Sequence, residues 1–324
     1  MLELVIPILK SEDVTLQNLD DVLLPLIPMN KSQSSPSPED RQYIVDLSRL
    51  EYLKLTDAVN LLLLIGYLET GNGPKVLLIP PRAERPNEFL SAMRFFVLAE
   101  NHCLITNANV IPQPVDVKEK KILEIKHIPS QLTDTGFANW LSKNTTNTII
   151  DKLTMLADDE LGGLLASAFM ELCENVHEHS RSYGYIAAQV VEPRDPDSPE
   201  QFQLTIGDLG IGLYEGLRGF HDEEIRGFER AYGPLWDEMK ALDIAFTPGV
   251  SFKAKRAFDV EARGIGLWSV FQTVKEFGGS LICRTGRNKV FLGYWHGQWE
   301  TRRKTALCFF PGTQLEVRIP LKRE

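Results

Sequence analysis

The chain is short of positive charge. Its 324 residues hold 35 Lys and Arg against 44 Asp and Glu, a formal net charge of -9. A nucleic-acid-binding surface, which needs clustered cations for phosphate contacts, is therefore not expected as its main business, although local basic patches stay open. Cysteine is also scarce. Cys103, Cys173, Cys283 and Cys308 form no CxxC pair and do not cluster with histidine at metal-ligand spacing, which speaks against a disulfide framework or a zinc site and predicts reduced core residues. Long apolar runs are missing: "AVNLLLLIGYL", Ala58 to Leu68, is too short to span a bilayer, and the N-terminus has no signal-peptide context. A soluble cytoplasmic protein with no membrane partner follows as the expectation. Three common site motifs are absent as well. There is no GxxxxGK[ST] phosphate loop and no GxSxG elbow; the third glycine of a GxGxxG fingerprint is replaced by Glu215 after Gly210 and Gly212, and by Ser269 after Gly264 and Gly266.

Hydrophobic residues make up 43% of the chain, enough for a sizeable core or two, and the length suggests two domains. A short strand, "LELVIPIL", precedes the Ser/Pro-rich "NKSQSSPSPED" (Asn30 to Asp40), which reads as a surface loop. "QYIVDLS" then reads as a buried strand, "TDAVNLLLLIGYLETGNG" as a capped helix ending in Gly, "KVLLIPP" as a strand, and "NEFLSAMRFFVLAE" as a helix begun by Asn87. Such alternation with short links predicts a mainly parallel sheet covered by helices, an α/β domain. The two prolines and charge run of "NANVIPQPVDVKEKKI" put its boundary near residue 115.

The second half has another texture. A long helix from about Asp158 to His179 leads into "YGYIAAQVVE" and "QFQLTIGD", an expected antiparallel hairpin. Tyr214 to Glu261 is rich in charge, Gly and aromatics. After it come a helix in "GIGLWSVFQTVKEFGG" and three strands, "SLICRTG", "KVFLGYW" and "TQLEVRIP". The sum is an α+β layered sandwich.

On the long helix Leu161, Leu164, Leu165, Ala168, Phe169, Leu172, Cys173 and Val176 recur at three- and four-residue steps and mark the buried stripe. Beside it, Glu171, Asn175 and His179 are spaced by four, so a carboxylate, an amide and an imidazole share one edge. A solvated polar face would carry the same pattern. In "GDLGIGL" Asp208 follows a strand, and Gly210 and Gly212 would let the backbone approach a flat ligand while the carboxylate accepts a hydrogen bond from it; a simple turn is the alternative. In "RGIGLWSVF" Gly264 and Gly266 open a helix whose free N–H groups can hold phosphate, or merely close a loop. In "PGTQLEVRIP" Gly312 and Thr313 start the last strand, as an ordinary hairpin turn also would.

Together and in this order, "ELCENVHEH", "DLGIG", "GIGL" and "GT" resemble the N box and the three glycine boxes of the GHKL (histidine-kinase-like) ATPase superfamily, over roughly residues 150 to 324. The resemblance implies a C-terminal Bergerat-type α/β sandwich spanning 116–324 that binds ATP and magnesium, with a lid over about 214–262. Asn175 would coordinate the magnesium, and Asp208 would accept from the adenine amine. Gly210 and Gly212 would admit the ring; Gly264, Gly266 and the N–H of Leu267 would cradle phosphate. Thr313 would support Asp208, Glu171 would be the general base, and His179 falls at a polar position after the N box that a structural histidine also fills. Lys253, Lys255 and Arg256 of the lid would close on phosphates or stay solvated.

Two departures narrow the branch. No phosphoacceptor histidine stands in an H-E-x-x-[TS]-P-like context, His127 lying in "IKHIPS"; and with Glu324 four residues past Pro320, the further domain of the gyrase, chaperone and mismatch-repair branches is not expected. The front block, residues 1 to 115, resembles the STAS domain of anti-sigma factor antagonists, with Lys54-Leu55-Thr56-Asp57 in place of its D-S-S-G signature. Thr56 would then be a phosphoacceptor or simply the helix N-cap. The expected function is a Mg-ATP-dependent regulatory switch acting on a protein partner, as an ATPase or serine/threonine kinase like the anti-sigma serine kinases; the alternative is an ATP sensor without turnover.

Overall fold

The computed structural model of the chain describes residues 2–7, 41–69, 76–107, 109, 111–112, 122–130, 132–145, 159–193, 198–218, 237–247, 266–295 and 298–321. The loop expected at 30–40 and the boundary expected near 115 lie outside them. The chain divides into two compact units, Met1–His127 and Ile128–Glu324.

In the first unit β1 (Leu2–Pro7), β2 (Arg41–Asp46), β3 (Val76–Ile79) and β4 (Cys103–Ile105) form a parallel sheet in sequential order. Helix α1 (Leu55–Glu69) is buried on all sides from Leu55 to Gly66, as its unbroken apolar run requires. Its start is capped differently from expectation. Thr56 is the second helical residue, only 4% exposed, and it is Asp57 whose Oδ2 accepts from the Lys54 N–H at 3.1 Å, a carboxylate placed where the helix dipole favours it.

The helix expected from Asn87 is two helices, α2 (Glu84–Ala92) and α3 (Phe95–Ala99), parted by Arg94 in the left-handed region at φ 59. Helix α2 begins three residues earlier than Asn87 because Pro86 is tolerated in the first turn, where no N–H donor is needed. The Asn87 side chain turns instead to the Pro81 carbonyl, to which it donates at 2.5 Å. Among the described residues no helix is long and apolar enough to cross a membrane.

The second sheet has seven strands, in the order β10-β9-β8-β11-β7-β6-β5. They are β5 (Ile122–Ile128), in which the division between units falls, β6 (Gly184–Val191), β7 (Gln201–Asp208), β8 (Ser280–Gly286), β9 (Asn288–Trp295), β10 (Gln298–Lys304) and β11 (Phe310–Pro320). The expected hairpin is present: β6 and β7 pair antiparallel, Gly184 opposite Asp208. The last strand β11 inserts antiparallel between β7 and β8, with a register shift between Phe310 and Thr313.

Helices α4 (Asp134–Thr145), α5 (Asp159–His179), α6 (Gly212–Arg218), α7 (Glu238–Ala245) and α8 (Gly266–Glu276) complete this unit. Helix α5 packs on α8 and β7, and α6 and α7 pack on β8. The stripe read on α5 is its buried face, with Leu164 half-buried and the other seven positions buried. Within the span expected as a lid, residues 237–247 hold α7, capped by Asp237 and packed through Ala241, Leu242, Ile244 and Ala245. Residues 219–236 and 248–262, with Lys253, Lys255 and Arg256, lie outside the described residues. Three cysteines are buried; Cys308 is half-exposed, at the loop between β10 and β11, so it is not a core residue.

Candidate functional site

A cleft opens between α5, α6, α8 and the sheet, lined by Leu172, Asn175, Val176, Ser180, Ile206, Asp208, Gly212, Leu213, Gly216, Leu267, Thr313 and Leu315. Its walls are mostly aliphatic, and its polar groups are few.

Asp208 is the centre of it. As the last residue of β7 it is 5% exposed, and its two carboxylate oxygens are fixed from two sides. Oδ1 accepts from the Gly210 N–H at 2.7 Å and Oδ2 from the Thr313 N–H at 3.2 Å. The backbone carbonyl of Asp208 accepts from Gln314 Nε2 at 3.1 Å. Burial nonetheless pushes the carboxyl up from 3.8 to about 7, against the opposing pull of the Gly210 and Thr313 N–H groups. The Cys283 thiol is pushed up in turn, first by its own burial and then by the Asp208 charge.

The glycines around Asp208 do a job that sequence alone did not suggest. A Cβ at Gly210 would lie 2.0 Å from the Ser180 carbonyl oxygen, and one at Gly312 would lie 2.0 Å from that of Asp208. At Gly212 it would meet Thr285 Oγ1 at 2.8 Å. What these glycines admit is the chain itself: the end of α5, the Asp208 loop and the start of β11 close on one another. Gly212 and Gly312 also have φ +70 and +76, where a side chain is strained. The contact is sealed by Ile211 N–H donating to the Ser180 carbonyl at 3.0 Å and Leu213 N–H donating to Thr285 Oγ1 at 3.1 Å.

Asn175 lines the cleft from α5, half-exposed. Glu171, one turn earlier, is half-exposed and outside the cleft's described lining. Helix α5 ends at His179, whose side chain is outside the description. Leu267 lines the cleft from the first turn of α8, which Gly266 opens; Gly264 is not among the described residues. His177, passed over in the sequence, is structural. Its Nδ1 donates to the Pro129 carbonyl at 2.9 Å, which fixes the tautomer, and its ring stacks on Phe137 at 3.9 Å, tying α4 to α5. Ser180 was missed for another reason: it follows the last helical residue and belongs to no motif. Its hydroxyl donates to the Ser182 carbonyl at 2.5 Å and accepts from the Ser182 N–H at 3.0 Å, closing the turn after α5.

The cleft offers a mostly aliphatic surface with the Asp208 carboxyl for a hydrogen-bond donor, and Asn175 and the N-terminus of α8 for a polar group. Among the described lining residues there is no Lys or Arg. Among the described residues there is also no group of three or more His, Cys, Asp or Glu fit to hold a metal ion unaided. No protein-family model matches the chain, and no curated protein matches it.

Proposed function

We propose that the second unit is a Mg-ATP-binding domain of the GHKL type and that the chain works as a nucleotide-dependent regulatory protein. The observation that supports this reading best is convergence. Asn175, Asp208 with Gly212, Leu267 and Thr313 come from four stretches spread over 139 positions of sequence, yet all line one cleft. A set of unrelated turns and caps has no reason to meet this way.

The residues fit the groups they would hold. An adenine ring suits the aliphatic walls, and its exocyclic amine suits a buried carboxyl whose two oxygens are already oriented by backbone donors. Asn175 offers a hard oxygen of the kind magnesium takes, and a magnesium ion commonly keeps several waters and binds through few protein ligands plus substrate phosphates, so the lack of an acidic cluster is compatible with it. When bound, the ion would supply charge neutralisation along the phosphates. The first turn of α8, Leu267 included, would donate backbone N–H groups to them. Glu171, one turn before Asn175 on α5, would serve as the general base.

Two chemistries share this site: hydrolysis of ATP, or phosphoryl transfer to a Ser or Thr of a protein partner. The STAS-like reading of the first unit, with its parallel sheet, favours a partner-switching protein in which one domain reports the nucleotide state of the other. Thr56 is a poor phosphoacceptor in this state, since its side chain is buried in the first turn of α1. The second reading, a sensor whose ATP orders the protein without turnover, is favoured by the position of Glu171 outside the described lining. Incubation of the chain and of Glu171→Ala with magnesium and γ-labelled ATP, alone and with lysate of the source cells, separates them. Label in protein identifies a kinase and label in free phosphate an ATPase. Binding without Glu171-dependent release identifies the sensor, and absence of ATP binding ends the GHKL reading.

A further inference from the structure

We propose that β10 is a dimerisation strand, at which two copies of the chain join their seven-stranded sheets edge to edge about a twofold axis through Thr301. The strand is the end member of the sheet, paired along its whole length with β9, from Gln298 opposite Trp295 to Lys304 opposite Lys289. Thr301, Arg302, Arg303 and Lys304 are all exposed, and among the described residues no strand pairs with the outer side of β10. Single-sheet proteins usually protect such an edge with charge, and β10 carries charge in plenty. What sets it apart is the order of the charges.

In an antiparallel pair, directly opposite residues are either both hydrogen-bonded across the gap or both not. A strand pairing with its own copy must therefore place the axis through a residue. Of the seven possible centres in "QWETRRK", Thr301 alone pairs the full strand. It sets Glu300 opposite Arg302 of the second copy, Trp299 opposite Arg303, Gln298 opposite Lys304, and Thr301 opposite itself. Opposite charges and Thr–Thr pairs are favourable cross-strand neighbours. Centres at Glu300, Arg302, Arg303 or Lys304 put like charges face to face, and centres at Gln298 or Trp299 leave at most three residues paired.

Within one chain Arg302 already binds Glu300, Nε to Oε2 at 2.8 Å. The twofold would turn that pair into a ring of four alternating charges on one face. On the other face Trp299 is braced edge-on by Phe271 at 5.7 Å and Tyr294 at 5.2 Å and has Lys275 Nζ 6.0 Å from its ring, while Arg303 is held by Asp243, Nε to Oδ1 at 3.0 Å, so this face joins the interface as a fixed surface and the charge order of the first face sets the register. Tyr294 itself is 45% exposed beside the same edge. Under a twofold each of these contacts is made twice.

Sedimentation equilibrium of the full chain, with circular dichroism as the folding control, tests this. The wild type should dimerise reversibly. Arg302→Glu sets two carboxylates opposite each other twice and should raise the dissociation constant by roughly tenfold or more. Adding Glu300→Arg to it restores the complementary order and should restore the dimer. Thr301→Cys in a Cys308→Ser background should oxidise to a covalent dimer, because residues facing across the axis lie within disulfide reach; this variant decides the matter if Arg302→Glu does not fold. A wild type that stays monomeric, a dimer indifferent to Arg302→Glu, a double variant that stays apart, or a Thr301→Cys chain that forms no covalent dimer each overturns the proposal.

Discussion

Replacing Asp208 by Asn tests the electrostatics of the cleft without any ligand. In the folded chain the Asp208 carboxyl holds its proton up to about pH 7, whereas an ordinary aspartate releases it near 3.8. Between those values the folded state binds one more proton than the unfolded state, so raising the pH through this window takes stability away; below it and above it this group leaves stability flat. Three units at about 1.4 kcal/mol each amount to roughly 4 kcal/mol across the window, of which about 3 kcal/mol falls between pH 5 and pH 8. Asn cannot ionise. It also has one acceptor oxygen for the two N–H donors of Gly210 and Thr313, and leaving one unsatisfied costs about 1–3 kcal/mol at every pH. Urea unfolding of both proteins at pH 5 and pH 8 should thus find the variant less stable at pH 5 and gaining on the wild type by about 3 kcal/mol at pH 8. The titrations of groups not coupled to Asp208 cancel in that difference. A gap between the two proteins that does not change with pH would show that Asp208 ionises as a solvated carboxylate does, and the buried-acid picture of the cleft would fail.

Gly312→Ala should lower stability by about 3 kcal/mol or more in thermal or urea unfolding, since its Cβ would sit 2.0 Å from the Asp208 carbonyl oxygen at φ +76; a variant as stable as the wild type would refute the closed packing of β11 on the Asp208 loop. Glu171→Ala should abolish turnover of ATP while leaving its affinity within a few-fold, and Asn175→Ala should lose the magnesium-dependent part of that affinity; unchanged turnover in the first removes Glu171 from the chemistry. Because an amine donor prefers the ionised carboxylate, ATP affinity should climb as pH rises toward about 7, approaching tenfold per pH unit, and level off above; calorimetry at several pH values would show this, and a flat profile would place the ligand away from Asp208.

The parts of the fold that were legible in the sequence are those where one physical rule acts alone. The alternation of apolar strands and helices in the first unit and the three-and-four stripe of α5 need only burial. The grouping of Asp208 with Gly210 and Gly212 after a strand was legible, but the reason for the glycines was not, because the surfaces they touch, Ser180 and the start of β11, are 30 or more positions away in the chain. Strand β10 escaped notice since "QWETRRK" has no apolar alternation: an edge strand with its side chains in water needs none. His177 resembled another polar face residue until α4, itself weakly patterned, supplied Phe137 as its partner. Thr56 has the chemistry of an N-cap, but it lies inside the helix as its second residue, and Asp57, the third, reaches back to accept from the Lys54 N–H.

A nucleotide bound in the cleft is the central proposal. Its most direct test is a calorimetric titration of Mg-ATP into the wild type and into Asp208→Asn at pH 8. One ATP should bind per chain, with affinity reduced by roughly tenfold or more in the variant, which loses a charged acceptor. Absence of binding to the wild type, or equal binding by both proteins, would contradict it.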